Sequence, residues 1–152
     1  MATTQTRQFG LLEYDSNAVL EFPAGLPGFE NQIRFLLVEK PAHAPIMFLQ
    51  SLQSPDLCFL AAPINLIDSG YELAMTEEDL RRLKLDDTRQ PAADANIVCL
   101  ALLSAAENGL LTANLLAPVV INVAARLAVQ AVRMDSRYSH QHPLPAREAS
   151  CS

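Results

Sequence analysis

The amino-acid sequence predicts a mostly β fold, namely one small, antiparallel, barrel-like domain with one short helix. Apolar segments of strand length follow one another along the chain, and clusters of Pro, Gly, Asn and Asp separate them. Only one segment has the pattern of an amphipathic helix. Half of the residues are hydrophobic and 18% are charged, which is typical of a globular chain. Frequent strands with turn signals between them are typical of an antiparallel barrel or sandwich.

The chain of 152 residues is long enough for one domain with a hydrophobic core. Its polar ends predict a flexible N-terminus over residues 1–7 and a disordered C-terminal tail over residues 145–152. We expect residues 8–144 to form the single β domain, because no internal repeat or second composition class interrupts them.

The first part of this domain contains a predicted strand pair and a rigid loop. Residues 8–14 and 18–22 have strand composition, and residues 15–17 (DSN) are turn formers between them. The next segment, residues 22–30, has the sequence FPAGLPGFE. Because proline fixes φ and glycine frees it, we expect a loop with one definite path. The residues with this structural role are Pro23, Gly25, Pro27 and Gly28.

The middle of the sheet is predicted from apolar runs bounded by turn residues. We expect these strands at residues 32–39, 46–52, 57–61, 96–103 and 126–132. The dipeptide Asn108-Gly109 favours a hairpin turn after the fourth of them.

The predicted helix covers residues 76–85. Thr76 is its expected N-cap, with Asp79 three residues later. Acidic residues fill the first turn and basic residues the last, which matches the helix dipole. Leu80 and Leu83 form one apolar stripe that would pack on the sheet.

Residues 112–122, with the sequence TANLLAPVVIN, predict two short strands joined at a proline. Pro118 has no backbone donor, so we expect it at a strand start, an edge or a bend. Asn114 and Asn122 each close an apolar run, and we interpret both as structural, internal caps.

Charge and hydropathy disfavour several classes of protein. The formal net charge of −6 argues against direct nucleic-acid binding, which needs clustered Lys and Arg, and favours basic protein partners. The longest apolar run, residues 97–103, is too short to cross a membrane, and no secretory signal is visible. Three widely spaced cysteines predict free thiols in a reducing cytoplasm, and they are Cys58, Cys99 and Cys151.

No catalytic motif or cofactor site is visible, so we expect no enzyme activity and no cofactor. His140 and His142 alternate as metal ligands could, yet they have no nearby acidic or thiol partner, which favours a surface pair. An acidic zone is a stronger candidate for binding. It is either a solvated face or a surface for a basic partner, and contains Asp68, Glu72, Glu77 and Glu78.

Four segments, in this order, resemble one family, the bacterial flagellar assembly factor FliW. They are residues 22–30 (FPAGLPGFE), 48–52 (FLQSL) with 55–57 (PDL), 112–122 (TANLLAPVVIN) and 135–144 (DSRYSHQHPL). The resemblance covers roughly residues 8–144.

The resemblance implies a cytoplasmic, non-enzymatic, barrel-like protein with two protein partners, the translational regulator CsrA and flagellin. Free flagellin would occupy the factor as a chaperone's client does. After export of flagellin, the released factor would bind CsrA and antagonise it allosterically, relieving repression of flagellin translation. We expect a monomer that contacts neither nucleic acid nor membrane.

The resemblance does not locate the partner-binding surface. We expect the acidic group defined above to face the regulator, while Gln50 and Ser51 are either exposed contacts or internal caps. The alternative function is a small-molecule-binding β-barrel or a minor enzyme with a cavity at one mouth of the barrel.

Overall fold

The structure, a computed structural model, describes residues 2–86, 89–91 and 96–144. The strands within these ranges are β1 (Ala2–Thr6), β2 (Gly10–Tyr14), β3 (Leu20–Glu21), β4 (Arg34–Glu39), β5 (Met47–Ser51), β6 (Cys58–Pro63), β7 (Ile97–Ala105), β8 (Leu111–Ala113), β9 (Val119–Asn122), β10 (Leu127–Gln130) and β11 (His142–Pro143). The α-helices are α1 (Ile64–Ile67) and α2 (Glu77–Arg82). The predicted C-terminal tail, residues 145–152, lies outside the described residues.

Seven of these strands close into a barrel. Strands β3, β4, β5, β6, β7, β9 and β10 pair with their neighbours in that order, always antiparallel. The ring closes where β10 pairs with β3 in parallel, with Leu127 opposite Glu21. The predicted mostly β, barrel-like fold is therefore confirmed.

A tight hairpin joins β7 to β8, as the Asn-Gly dipeptide predicts. Ala105 lies opposite Leu111, and Gly109 has a φ of +86°, a left-handed conformation that glycine adopts without strain. The side chain of Asn108 accepts the N–H of Leu110 at 3.0 Å. Strand β11 then pairs with β8 and extends the sheet beyond the barrel.

Alternate residues of the barrel strands form an apolar interior. Leu20 lies opposite Phe35, and Leu100 opposite Val119, with all four side chains buried. The ring of Phe22 packs edge-to-face on Phe35, with 5.1 Å between centroids. Side chains, rather than solvent or a channel, therefore fill most of the interior.

A second apolar cluster covers part of the outer face of the barrel. Leu80 and Leu83 of α2 are buried in it together with Cys99 of β7. The hydroxyl of Thr76 accepts the N–H of Asp79 at 3.1 Å, which confirms the predicted N-cap. Neither helix in the described ranges has the length or apolar character that spanning a membrane requires.

The N-terminus differs from the sequence prediction. Residues 1–7 were expected to be flexible, yet Ala2–Thr6 forms β1 and pairs with β2. Three β-branched threonines favour an extended backbone there, and Phe9 of the connecting turn packs on Phe48 at 5.2 Å. β2 pairs with β1, whereas β3 pairs with β4 and β10. The predicted pairing of residues 8–14 with residues 18–22 is therefore wrong.

The helix content also differs, because the described residues form two short α-helices where one was expected. The added helix, α1, follows Pro63, which fixes the backbone at the end of β6. Its first residue, Ile64, is buried in the outer cluster, so packing stabilises a helix too short to form alone.

Candidate partner-binding surface

The four acidic residues expected to face a partner lie on one stretch of chain that leads from α1 into α2. Glu77 and Glu78 form the first turn of α2, where the helix dipole favours carboxylates. Their side chains are 76% and 67% exposed. Asp68 is half-buried, and its carboxylate accepts the N–H of Gly70 at 2.9 Å. Asp68 is therefore held by its own loop, whereas the two glutamates face solvent.

Arginines of the same helix accompany both exposed glutamates. Arg82 contacts Glu78 at 2.7 Å, and Arg81 lies 3.7 Å from Glu77. Exposed ion pairs at this spacing contribute only about 0.3–0.5 kcal/mol of stability, so each glutamate can leave its arginine at little cost. The carboxylates therefore stay available to cations of another protein.

Glu72 is fixed by a different part of the chain. Its carboxylate accepts a hydrogen bond from Arg137, and its carbonyl accepts one from Arg133. Its N–H donates to the hydroxyl of Tyr138 at 3.1 Å. Three contacts thus attach Glu72 to the segment after β10.

Arg133 is the centre of this attachment. Its side chain is only 2% exposed and lies against two rings, 5.6 Å from the centroid of Tyr71 and 4.8 Å from that of Tyr138. Its guanidinium donates to both carboxylate oxygens of Asp135, at 2.9 and 3.0 Å. These hydrogen bonds hold the pKa of Asp135 below its ordinary value. The sequence analysis did not single out Arg133, although residues 135–144 were part of the family resemblance.

Tyr71, one of the two tyrosines beside Arg133, links this cluster to the segment between β8 and β9. The hydroxyl of Tyr71 donates to the carbonyl of Leu115 at 2.7 Å. Burial raises the pKa of Tyr71, so this hydroxyl keeps its proton at neutral pH. The acidic stretch is thereby held in a defined place on the barrel.

Two exposed apolar side chains flank Arg133. Met134 is 88% exposed and Val132 is 43% exposed. Alternation along the extended chain turns both outward while Arg133 turns inward. Apolar side chains beside charged ones are typical of protein-binding surfaces. We define the binding surface as Glu72, Glu77, Glu78, Val132 and Met134.

Gln50 and Ser51 lie inside the protein, so of their two expected roles the internal one fits the structure, and the expectation that they are exposed partner contacts is corrected. Gln50 is fully buried and donates to three carbonyls, including that of Leu57 at 3.2 Å. Ser51 donates to the side chain of Gln32 at 2.7 Å and accepts two N–H groups of the next turn. Both residues organise the β5–β6 turn, because their side chains bond to residues of that turn.

The loop over residues 22–30 has two glycines with positive φ. Gly25 has a φ of +67°, and a Cβ at this position would lie 2.5 Å from the carbonyl oxygen of Glu30. Gly28 has a φ of +85° with open space around it, and its N–H donates to the Glu30 carboxylate at 3.0 Å. Pro23 and Pro27 are exposed on the outside of the loop.

The side chains of the two asparagines in residues 112–122 form hydrogen bonds with backbone groups inside the protein. Asn114 accepts the N–H groups of Leu116 and Ala117, at 3.0 and 3.1 Å. Asn122 is buried and donates to the carbonyl of Leu83 at 2.7 Å, which joins the end of α2 to the barrel. Pro118 is buried immediately before β9, and its carbonyl accepts the N–H of Ala131.

The part of the chain that is described contains no candidate metal site, and its two thiols are weakly reactive. No group of three or more His, Cys, Asp or Glu residues there could hold a metal ion, and this includes the surroundings of His140 and His142. Burial raises the pKa of Cys99 to about 11 and also raises that of Cys58, so both thiols are protonated and weakly nucleophilic at neutral pH.

Comparison with known proteins assigns this arrangement to a family. The family model for the FliW protein matches residues 3–144. A flagellar assembly factor FliW of Clostridium botulinum (strain Langeland) is 31% identical, with 95% of this chain and 97% of the relative covered. That of Geotalea uraniireducens is 34% identical, with 94% and 83% covered. A crystal structure of the flagellar assembly factor FliW superposes with a TM-score of 0.79 at 26% identity, covering 93% of this chain and 96% of the other. The chain belongs to the FliW family of flagellar assembly factors.

Proposed function

We propose that this flagellar assembly factor binds the translational regulator CsrA and flagellin, and that it antagonises CsrA allosterically to relieve repression of flagellin translation. Flagellin occupies the protein until it is exported, and the released protein then binds CsrA. In this proposal the chain is a cytoplasmic, non-enzymatic, monomeric binding protein that contacts neither nucleic acid nor membrane. The family match over residues 3–144 carries the proposal.

The composition of the binding surface supports a basic protein partner. The chain has a formal net charge of −6, and Glu77 and Glu78 are exposed on α2. Opposite charge on the partner would accelerate association and fix orientation. Met134 supplies an apolar side chain that a partner could bury.

Single-charge variants of α2 test where CsrA binds. Glu78→Gln removes an exposed carboxylate, and we expect weaker binding of purified CsrA with a shallower salt dependence. Arg82→Gln removes the cation that contacts both Glu78 and Asp79, so we expect stronger binding. Glu13→Gln, on exposed β2, is the matched control and should leave the affinity unchanged. If all three variants bind CsrA like the parent, the interface lies elsewhere.

A further inference from the structure

A cavity of about 350 Å³ opens at one mouth of the barrel. Leu20, Leu37, Val98 and Ile121 line its wall, and each comes from a different barrel strand. All four belong to the inner apolar cluster, so the cavity is an extension of the barrel interior toward solvent. Pockets that bind small molecules have volumes of about 300–1,000 Å³ and mostly apolar walls.

The rim of this cavity is polar at two points, and one of them is a cation. Arg126 and Asn17 both line the opening, next to the exposed side chain of Val123. Within the described residues, the guanidinium of Arg126 has no carboxylate within 4.0 Å. It differs in this respect from Arg82 and Arg133. A cation beside an apolar wall is a natural site for an anionic head group.

The backbone holds Arg126 in an unfavourable conformation. Its φ is +55°, in the left-handed region that costs a residue with a Cβ about 1 kcal/mol. The turn is fixed by the Arg126 N–H bonding to the Val123 carbonyl at 3.2 Å and by the Ala125 N–H bonding to the Asn122 side chain at 3.4 Å. Glycine or asparagine would fit this turn with less strain. Strained backbone conformations are enriched at functional sites, so an arginine in this turn is a candidate for a functional side chain.

The adjoining groove does not neutralise this arginine. Arg126 also lines a polar groove that contains Arg34 and Glu21. Glu21 lies directly opposite Arg34 in the β3–β4 register. Among the described residues that line the cavity itself, Arg126 alone is charged.

We propose that the barrel mouth binds a medium-chain aliphatic monocarboxylate. The alkyl chain occupies the cavity between Leu37 and Val98, and the carboxylate contacts the guanidinium of Arg126. Asn17 also lines this cavity, and its side-chain amide is the second donor in the proposal. A single arginine suits one carboxylate, and burial of the chain supplies the larger part of the binding free energy. This site uses residues distinct from those of the binding surface.

Titration of the full chain with octanoate, followed by calorimetry and ligand-observed NMR, tests this site. We expect saturable one-to-one binding of octanoate, about tenfold weaker binding of the uncharged octanamide, and no saturable binding of acetate. Failure of octanoate to saturate, or equal affinity for octanoate and octanamide, would overturn the proposal.

Variants of Arg126 distinguish octanoate binding at this site from nonspecific binding of octanoate to apolar surface. Arg126→Gln and Arg126→Gly should each weaken octanoate binding about tenfold. Arg126→Gly also relieves the left-handed strain, so its melting temperature should not fall. Arg34→Gln is the matched control, since Arg34 lines only the adjoining groove, and it should keep the parental affinity. Equal octanoate affinity in the parent and in both Arg126 variants would contradict the assignment.

Discussion

The guanidinium carbon of Arg133 lies 4.8 Å from the centre of the Tyr138 ring, and both residues belong to the segment that follows β10. Arg133 also donates to the carbonyl of Glu72, 61 residues earlier in the chain. Since Glu72 and Met134 both belong to the binding surface, this cluster holds the surface in place. Partner binding should therefore depend on residues that a partner does not touch.

Replacing Arg133 tests this role. Arg133→Met keeps much of the side-chain volume but loses the charged hydrogen bonds to Asp135 and Glu72, so the free energy of unfolding should fall by about 2 kcal/mol. Urea denaturation followed by circular dichroism measures it. Arg137→Met is the matched control, because Arg137 is exposed and its loss should change the denaturation midpoint much less. Equal losses in the two variants would show that burial of Arg133 is unimportant.

The same cluster predicts how stability depends on pH. Arg133 lowers the pKa of Asp135 in the folded chain below the unfolded value of about 3.9. The stabilisation is therefore complete above the unfolded pKa and is lost as pH falls through the lower, folded pKa. The N–H of Gly28 lowers the pKa of Glu30 in the same way. Protonation of Glu30 at low pH should therefore reduce the stability of the protein further.

Urea midpoints at neutral pH and at about pH 3 check this dependence. The parent should lose stability between the two conditions. Asp135→Asn should be less stable at neutral pH and lose less on acidification. A variant that loses as much as the parent on acidification would show that the Asp135 carboxylate does not contribute.

The two glycines of residues 22–30 offer a matched pair of substitutions. Gly25→Ala places a Cβ 2.5 Å from the Glu30 carbonyl oxygen, so we expect a loss of about 3 kcal/mol or more in the free energy of unfolding. Gly28→Ala meets no atom within 4 Å, so only left-handed strain of about 1 kcal/mol remains. Thermal and urea denaturation measure both. Similar losses would mean that close packing does not set the requirement at Gly25.

Replacing Asn114 should lower the stability of the protein and leave its affinity for CsrA unchanged. Asn114→Ala leaves the N–H groups of Leu116 and Ala117 without their acceptor, which should cost about 1–2 kcal/mol. CsrA affinity measured well below the melting temperature should be unchanged. Asn65→Ala, at an exposed position of α1, is the control. Weaker CsrA binding at an unchanged melting temperature would place Asn114 in the interface.

Local sequence patterns predicted much of the barrel because turn chemistry and strand composition act over a few residues. The Asn108-Gly109 hairpin and the Thr76 cap are examples, since each depends on neighbours in the chain. β1 was missed because its threonines and glutamine are polar, although its partner β2 is the next strand in the chain.

The site was harder to predict because its contacts connect distant segments. Alternation along β5 puts Gln50 and Ser51 on opposite faces of the strand, but it does not reveal that both faces are covered. The packing of Arg133 against the rings of Tyr71 and Tyr138 likewise leaves no local pattern. The four-segment resemblance predicted the family, whereas the burial of individual side chains required the fold.

Retention of purified CsrA on the immobilised chain, with and without excess flagellin, tests the central claim most directly. We predict that CsrA is retained at micromolar concentration and that flagellin, which is itself retained, releases it. If the folded chain retains neither protein under these conditions, the proposed function is contradicted.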